Sequence, residues 1–435
     1  VTAIPGAFEI IPTGPLSGSV APPASKSVTN RLLLLASLAD GTSVLRNPLV
    51  SNDSAAMRDV VTGLGAAVAD VGSPGEAGYA WHVSGTGGRV SAPDAPLDCR
   101  LSGTTIRFAT AVAALADGEV TLTGEAPLRN RPIGPLVTAL RDLGAAVATD
   151  HDGYPPVTVG GGLAGGEVAI DVTGSSQYAS AVLLAAPYAR EAVTVRALGE
   201  HAAAYVELTT SAMDVWGALV DPVGDNAWQV RTGGYTACDQ TVEYDASAAA
   251  HLFGLATATG GRVAVVHATP DTLQPDAVFP DILARFGADV TREGDVVVVA
   301  GPDRPVAAGD IDLSDMPDQV TTCAAIAALA DGVTTITGVE VARGHETDRL
   351  TALATELRKI GAEVEERPDG LVIDGSNATG HATLDTYDDH RLAMSFASVG
   401  ARLPGVVIDD PGCVAKTYPG FWQALVRLGG EVRPA

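Results

Sequence analysis

The sequence predicts a mixed α/β (α+β) protein of two domains, each built from three copies of one helix–strand–helix–hairpin unit. Three observations lead there. A helix ending in Leu-Gly-Ala or a close variant recurs six times, at Gly65, Gly144, Gly217, Gly287, Gly361 and Gly429, with spacings of 68 to 79 residues. Ahead of each lies a helical segment that is apolar on every side. The length between them is filled by β-branched strands and tight-turn signals. The 435 residues, 46% of them hydrophobic, suffice for two or three cores.

Within a unit the apolar helix comes first: SVTNRLLLLASLAD, TTIRFATAVAALAD, SSQYASAVLLAAPYA, ASAAAHLFGLATAT, QVTTCAAIAALAD and HRLAMSFASVGA. A helix without a polar face must be buried all round. Strands such as EVTLTGE, AVTVRAL, RVAVVHA and VTTITGV follow, alternating with period two. An amphipathic helix then runs to the glycine, which ends it through a positive φ. Gly-Asp and Asp-Gly in TREGDVVVV and ERPDGLVI mark the closing hairpins. The sixth unit breaks off at GGEVRPA before its hairpin closes, whereas the strand-like start FEIIPTGPLSGSV belongs to no unit. The N-terminal strand is therefore expected to complete the last unit. That makes residues 25–242 one domain and residues 1–24 with 243–435 a second, discontinuous one.

A formal net charge of −25 argues against nucleic acid or an anionic membrane surface as partner. No apolar stretch approaches the ~20 residues of a bilayer span, and VTAIPGAFEI lacks the basic flank of a secretory signal. Cys99, Cys238, Cys323 and Cys413 lie far apart without metal-type spacing, as expected of free thiols in a reducing cytoplasm.

Positive charge is scarce and oddly placed. Only three lysines, Lys26, Lys359 and Lys416, stand against 24 arginines. Polar residues gather just before the helices: Lys26-Ser27, Ser102-Gly103-Thr104, Ser175-Ser176-Gln177, Asp318-Gln319 and Asp389-His390-Arg391 before the apolar ones, and Arg131, His345 to Arg349 and Lys416 before the amphipathic ones. Ser, Thr and Asp there are ordinary N-caps, each contributing about 1 kcal/mol. Capping does not account for Lys26, Arg131, Arg349, Arg391 and Lys416, because a helix N-terminus disfavours a cation by ~0.3–1 kcal/mol. An anion shared by cations and helix ends would. Two facing domains that aim equivalent helix ends inward would focus them on one cleft.

At these residues the sequence resembles the 5-enolpyruvylshikimate-3-phosphate (EPSP) synthase family over essentially its whole length. The matching segments are PASKSVTNR, RLSGTTIRF, RNRPIG, GSSQYASA, DMPDQVTT, RGHETDRL, DDHRLAM and CVAKTYP, in that order. The resemblance implies an inside-out α/β barrel in each domain, three βαβαββ-type repeats around a pseudo-threefold axis, with a hinge between domains. It implies transfer of the enolpyruvyl group of phosphoenolpyruvate to the 5-hydroxyl of shikimate 3-phosphate by a cytoplasmic monomer, without metal or organic cofactor. Phosphoenolpyruvate would then be held by Lys26, Gly103, Arg131, Gln177, Arg349, Arg391 and Lys416. Shikimate 3-phosphate would be held by Lys26, Ser27, Arg31, Ser175, Ser176, Gln177, Tyr205 and Asp318. Asp318 resembles the family's base and Glu346 its proton donor, assisted by His345 and Lys26. Capping by Asp318 and pairing of Glu346 with Arg349 are the plain structural alternatives.

The sequence departs from the family pattern at Ala24, Leu101, Ala202 to Ala204, Val341 and His345. Two other readings stay open. UDP-N-acetylglucosamine enolpyruvyl transferases share the donor, but their loop cysteine falls near Ala126 in GEAPLRNRPIG. A non-catalytic relative that binds anionic metabolites would keep the cations and need no proton-transfer carboxylates.

Overall fold

The computed structural model describes residues 6–199, 203–269 and 271–435. The chain divides into a continuous unit, Ala24–Glu243, and a discontinuous one, Val1–Pro23 with Tyr244–Ala435. Among the described residues each holds three four-stranded sheets. In every sheet one edge strand runs parallel to its neighbour, which pairs antiparallel with a third strand that is itself antiparallel to the fourth.

Helix ends show why the units repeat. All six glycines identified above have φ between 85° and 109°. In each case the next residue donates its N–H to a carbonyl five positions back: Ala66 to Val61, Ala145 to Leu140, Ala218 to Met213, Ala288 to Leu283, Ala362 to Leu357 and Gly430 to Leu425. This bond closes the last helical turn and needs a left-handed residue, which glycine adopts without a Cβ clash.

In the continuous unit the apolar helices are Lys26–Leu38, Gly103–Ala113 and Gln177–Ala185. Leu33, Leu34 and Leu35 are fully buried, each stabilising by about 1.5–3 kcal/mol. The sheets lie outside these helices, and one is completed from a distance. Asp239–Thr241 pairs parallel with Thr42–Arg46, so the last strand of this unit serves its first sheet.

In the discontinuous unit the helices Ala246–Thr259, Val320–Ala327 and His390–Arg402 pack against one another. The N-terminal stretch supplies two strands to two sheets. Phe8–Ile11 lies between Val406–Ile408 and Glu431–Pro434, which closes the hairpin that GGEVRPA leaves open. Ser17–Val20 pairs parallel with Arg262–Val266 in another sheet. The segment read as one strand-like start is thus two strands separated by a turn. None of the six sheets closes into a ring: the barrel implied by the resemblance consists, in each unit, of three open sheets flanking three buried helices. No described helix is long and apolar enough to cross a membrane.

Candidate active site

In the continuous unit the predicted residues collect at the N-termini of the buried helices. Ser25 caps Lys26–Leu38, which places Lys26 in the first turn, with Nζ 3.6 Å from Asp53 Oδ2. One turn on, Arg31 is buried, donating to Thr209 Oγ1 at 2.8 Å, to the Ser27 carbonyl at 3.0 Å and to the Tyr205 carbonyl at 3.2 Å. Its guanidinium also lies over the rings of Phe108 and Tyr205. Burial lowers its pKa to about 10, so it stays charged.

A second group forms around Gly103. A Cβ built there would stand 2.6 Å from Arg131 Nη1, so the guanidinium rests directly on the glycine. Beside it Arg107 donates to Gln177 Oε1 at 2.9 Å and Ser175 Oγ at 3.3 Å, and Gln177 Nε2 donates to Thr104 Oγ1 at 3.4 Å. Ser176 precedes the helix without a side-chain capping bond. Ala202, at the departure before Tyr205, lies outside the described residues.

The discontinuous unit gathers its predicted residues into one ion network centred on Arg349, whose side chain is 1% exposed. Arg349 donates from Nε to Asp389 Oδ2 at 2.7 Å, from Nη1 to Asp318 Oδ1 at 2.7 Å and from Nη2 to Glu346 Oε2 at 2.9 Å. Arg391 Nη2 donates to Asp318 Oδ2 at 2.9 Å, and Lys416 Nζ to Glu346 Oε1 at 2.8 Å. His345 Nδ1 stands 3.0 Å from Arg349 Nη1 and 3.2 Å from Asp318 Oδ1. The network joins three carboxylates and three permanent cations.

These contacts bear on the structural alternative weighed for each residue. Asp318 makes no capping bond to the helix Val320–Ala327, whose start has none, and spends both oxygens on arginines. Glu346 does pair with Arg349 as the plain reading held, and with Lys416 as well. Lys416 ends the turn Pro411–Lys416, ahead of the helix that begins at Phe421. It therefore stands where carbonyls favour a cation, and the helix-end penalty does not apply to it.

Charge states follow from these neighbours. Burial pushes the Asp318 carboxyl up, but Arg391, the His345 hydrogen bond and Arg349 together hold it well below 3.8. Burial pulls the His345 imidazole down against the pull of Asp318, so it is neutral near pH 7. Burial also acts against Arg349, yet Asp389, Glu346 and Asp318 outweigh it and raise its pKa. Among the described residues no three His, Cys, Asp or Glu side chains are grouped to hold a metal ion.

Arg107 and Thr209 were not singled out from the sequence; Asp53 and Asp389 were, as helix-start residues, but without the partners they meet here. Arg107 carried a signal, since a lone cation on an otherwise apolar helix must meet a polar group where it is buried. Asp389 lies inside the DDHRLAM segment and makes the ordinary helix cap read there, to the Arg391 N–H at 2.9 Å, but its pairing with Arg349, forty residues away in sequence, is a product of the tertiary fold.

Comparison with known proteins shows the family. The family model of EPSP synthase (3-phosphoshikimate 1-carboxyvinyltransferase) matches residues 10–425. The 3-phosphoshikimate 1-carboxyvinyltransferase of Nostoc punctiforme is 41% identical over 418 residues, which cover 95% of this chain and 97% of the relative. That of Methanothermobacter thermautotrophicus is 38% identical over 419 residues, covering 96% and 97%. A solved EPSP synthase from Acinetobacter baumannii matches 99% of this chain and 100% of its own with a TM-score of 0.79 at 25% identity. The chain belongs to the EPSP synthase family.

Proposed function

We propose that the chain transfers the enolpyruvyl group of phosphoenolpyruvate to the 5-hydroxyl of shikimate 3-phosphate and releases phosphate. One observation carries the mechanism: both carboxylates assigned to proton transfer, Asp318 and Glu346, have both oxygens engaged by the cations assigned to phosphoenolpyruvate. A multiply charged anion draws Arg349, Arg391 and Lys416 to itself. Each cation it takes raises the proton affinity of the carboxylate left behind. Asp318 thereby becomes a stronger base, and Glu346 becomes able to hold a proton.

In the addition step Asp318 takes the proton of the 5-hydroxyl as its oxygen bonds to C2 of phosphoenolpyruvate, and Glu346 delivers a proton to C3. In the elimination step Glu346 takes a proton back from C3, the C3–H electron pair forms the C2–C3 double bond, the C2–O bond to phosphate breaks, and the phosphate leaves with the proton that Asp318 took, so both carboxyl groups return to the states they began in. Lys26, Gly103, Arg131 and Gln177 also serve phosphoenolpyruvate. Ser27, Arg31, Ser175, Ser176 and Tyr205, with Lys26, Gln177 and Asp318, serve shikimate 3-phosphate, and His345, neutral, orients Asp318. The protein acts as a monomer in the cytoplasm, a compartment that suits four unpaired cysteines.

Phosphate release from the two substrates tests this. Asp318→Ala is expected to lose about 10²- to 10⁴-fold in turnover with the fold intact. Unchanged turnover removes Asp318 from the mechanism. Turnover that requires UDP-N-acetylglucosamine in place of shikimate 3-phosphate, or saturable binding with no turnover, replaces the assignment.

A further inference from the structure

Lys359, the third lysine of the chain, takes no part in the network above, and what it touches leads to another residue. Its Nζ donates to Glu356 Oε2 at 2.6 Å. Glu356 is fully buried and accepts two more bonds, from the Asp385 backbone N–H at 2.9 Å and from the Tyr387 hydroxyl at 2.8 Å. It sits two turns beyond Arg349 on the helix Arg349–Lys359. That one helix therefore grips the segment leading to Arg391 at two places: Arg349 holds Asp389, and Glu356 holds Asp385 and Tyr387.

The gripped segment is strained. Tyr387 and Asp388 have φ of 52° and 57°, and consecutive non-glycine residues occupy the left-handed region only where their surroundings hold them there. Asp389 and Arg391 follow at once. We propose that Glu356 is a positioning residue, whose buried carboxylate locks Asp385 and Tyr387 to the helix carrying Arg349 and so sets where Asp389 and Arg391 stand. This rests on the reading of Arg349 and Arg391 as phosphoenolpyruvate ligands. Burial and the bond to Glu356 push the Tyr387 phenol up to about 12, so it remains a donor at neutral pH.

The test uses Glu356→Gln, which keeps the volume, and Tyr387→Phe, which removes one hydroxyl. In phosphate-release kinetics KM for phosphoenolpyruvate is expected to rise about tenfold in the first and about threefold in the second. KM for shikimate 3-phosphate should stay within about twofold, since a merely structural lesion would not separate the two. Amide exchange over residues 385–391 without substrate should quicken about tenfold while Leu350–Leu357 stays protected. If Glu356→Gln does not fold, Tyr387→Phe decides. Unaltered exchange at 385–391, or an equal rise in both KM values, overturns the proposal. Quickened exchange in the variants, beside a wild type that releases no phosphate from these substrates, supports the positioning role and overturns only the assigned reaction.

Discussion

Removing Arg349 tests the energetic logic of the network most directly. Arg349 is 1% exposed and Asp389 0%, so neither has water to fall back on. Arg349→Met strips Asp389 of two guanidinium bonds and leaves it the Arg391 backbone N–H, with His390 Nδ1 3.7 Å away. Breaking a buried ion pair from one side costs about 3–5 kcal/mol, because the surviving charge stays desolvated. Asp389→Ser keeps a helix cap and removes the charge, at a cost of about 1.5–3 kcal/mol for the charged hydrogen bonds. In the double variant the orphaned charge at 389 is gone, while Asp318 and Glu346 still have Arg391 and Lys416. Its destabilisation should therefore fall below that of Arg349→Met alone, so that the two single costs fail to add by at least about 1.5–3 kcal/mol. A chain of two units need not unfold in one step. Amide exchange over Leu392–Arg402, within the helix that starts at the network, reads the stability of this unit directly. Additivity within about 0.5 kcal/mol would show that the pair carries no special energy and refute the reasoning.

Two further outcomes follow from the continuous unit. Gly103→Ala sets a Cβ 2.6 Å from Arg131 Nη1 and 2.9 Å from its Cζ; the flexible guanidinium gives way, so KM for phosphoenolpyruvate should rise about tenfold at unchanged Tm, and an unchanged KM would remove Arg131 from the anion site. At Asp70 the Arg58 bond, then the Tyr79 bond, lower the carboxyl from 3.8 to about 2. The unfolded chain binds this proton first, so the stability Asp70 contributes is complete above about pH 4 and disappears between about pH 4 and pH 2 as acid is added. An NMR titration with a midpoint near 3.8, or an acid limb unaltered by Asp70→Asn, contradicts that.

Local features of the fold were legible where chain neighbours determine them. The six terminal glycines, the wholly apolar helices and the Gly-Asp and Asp-Gly hairpins each depend on residues within a turn of one another. The pairing of Phe8–Ile11 with Glu431–Pro434 was legible for a different reason: a lone strand and an open hairpin each leave backbone groups to be satisfied. Nothing local marks Ser17–Val20 for the sheet of Arg262–Val266, or Asp239–Thr241 for that of Thr42–Arg46. Their destinations depend on how three units close on themselves, and a short strand such as Asp-Gln-Thr carries no hydrophobic alternation to announce it. In the site, residue types were legible and partners were not. Asp53 looks like a helix-start acid in sequence and becomes the counter-ion of Lys26 only in space.

The partners change what the cation placement means. In a chain of net charge −25, a cation at a helix start can be offset by the protein's own carboxylates, and that is how Arg349, Arg391 and Lys26 are held. Their placement alone therefore does not require an external anion. What does point to one is that the carboxylates doing the offsetting include the two assigned to proton transfer. A carboxylate kept solely to neutralise an arginine is best fully buried and fully bonded, as Asp389 is. Asp318 is instead 27% exposed and Glu346 13%, so each can meet a substrate as well as its cations. In the proposed mechanism, an anion that displaces them from their arginines lowers its own energy and, in the same movement, would turn two counter-ions into a base and an acid.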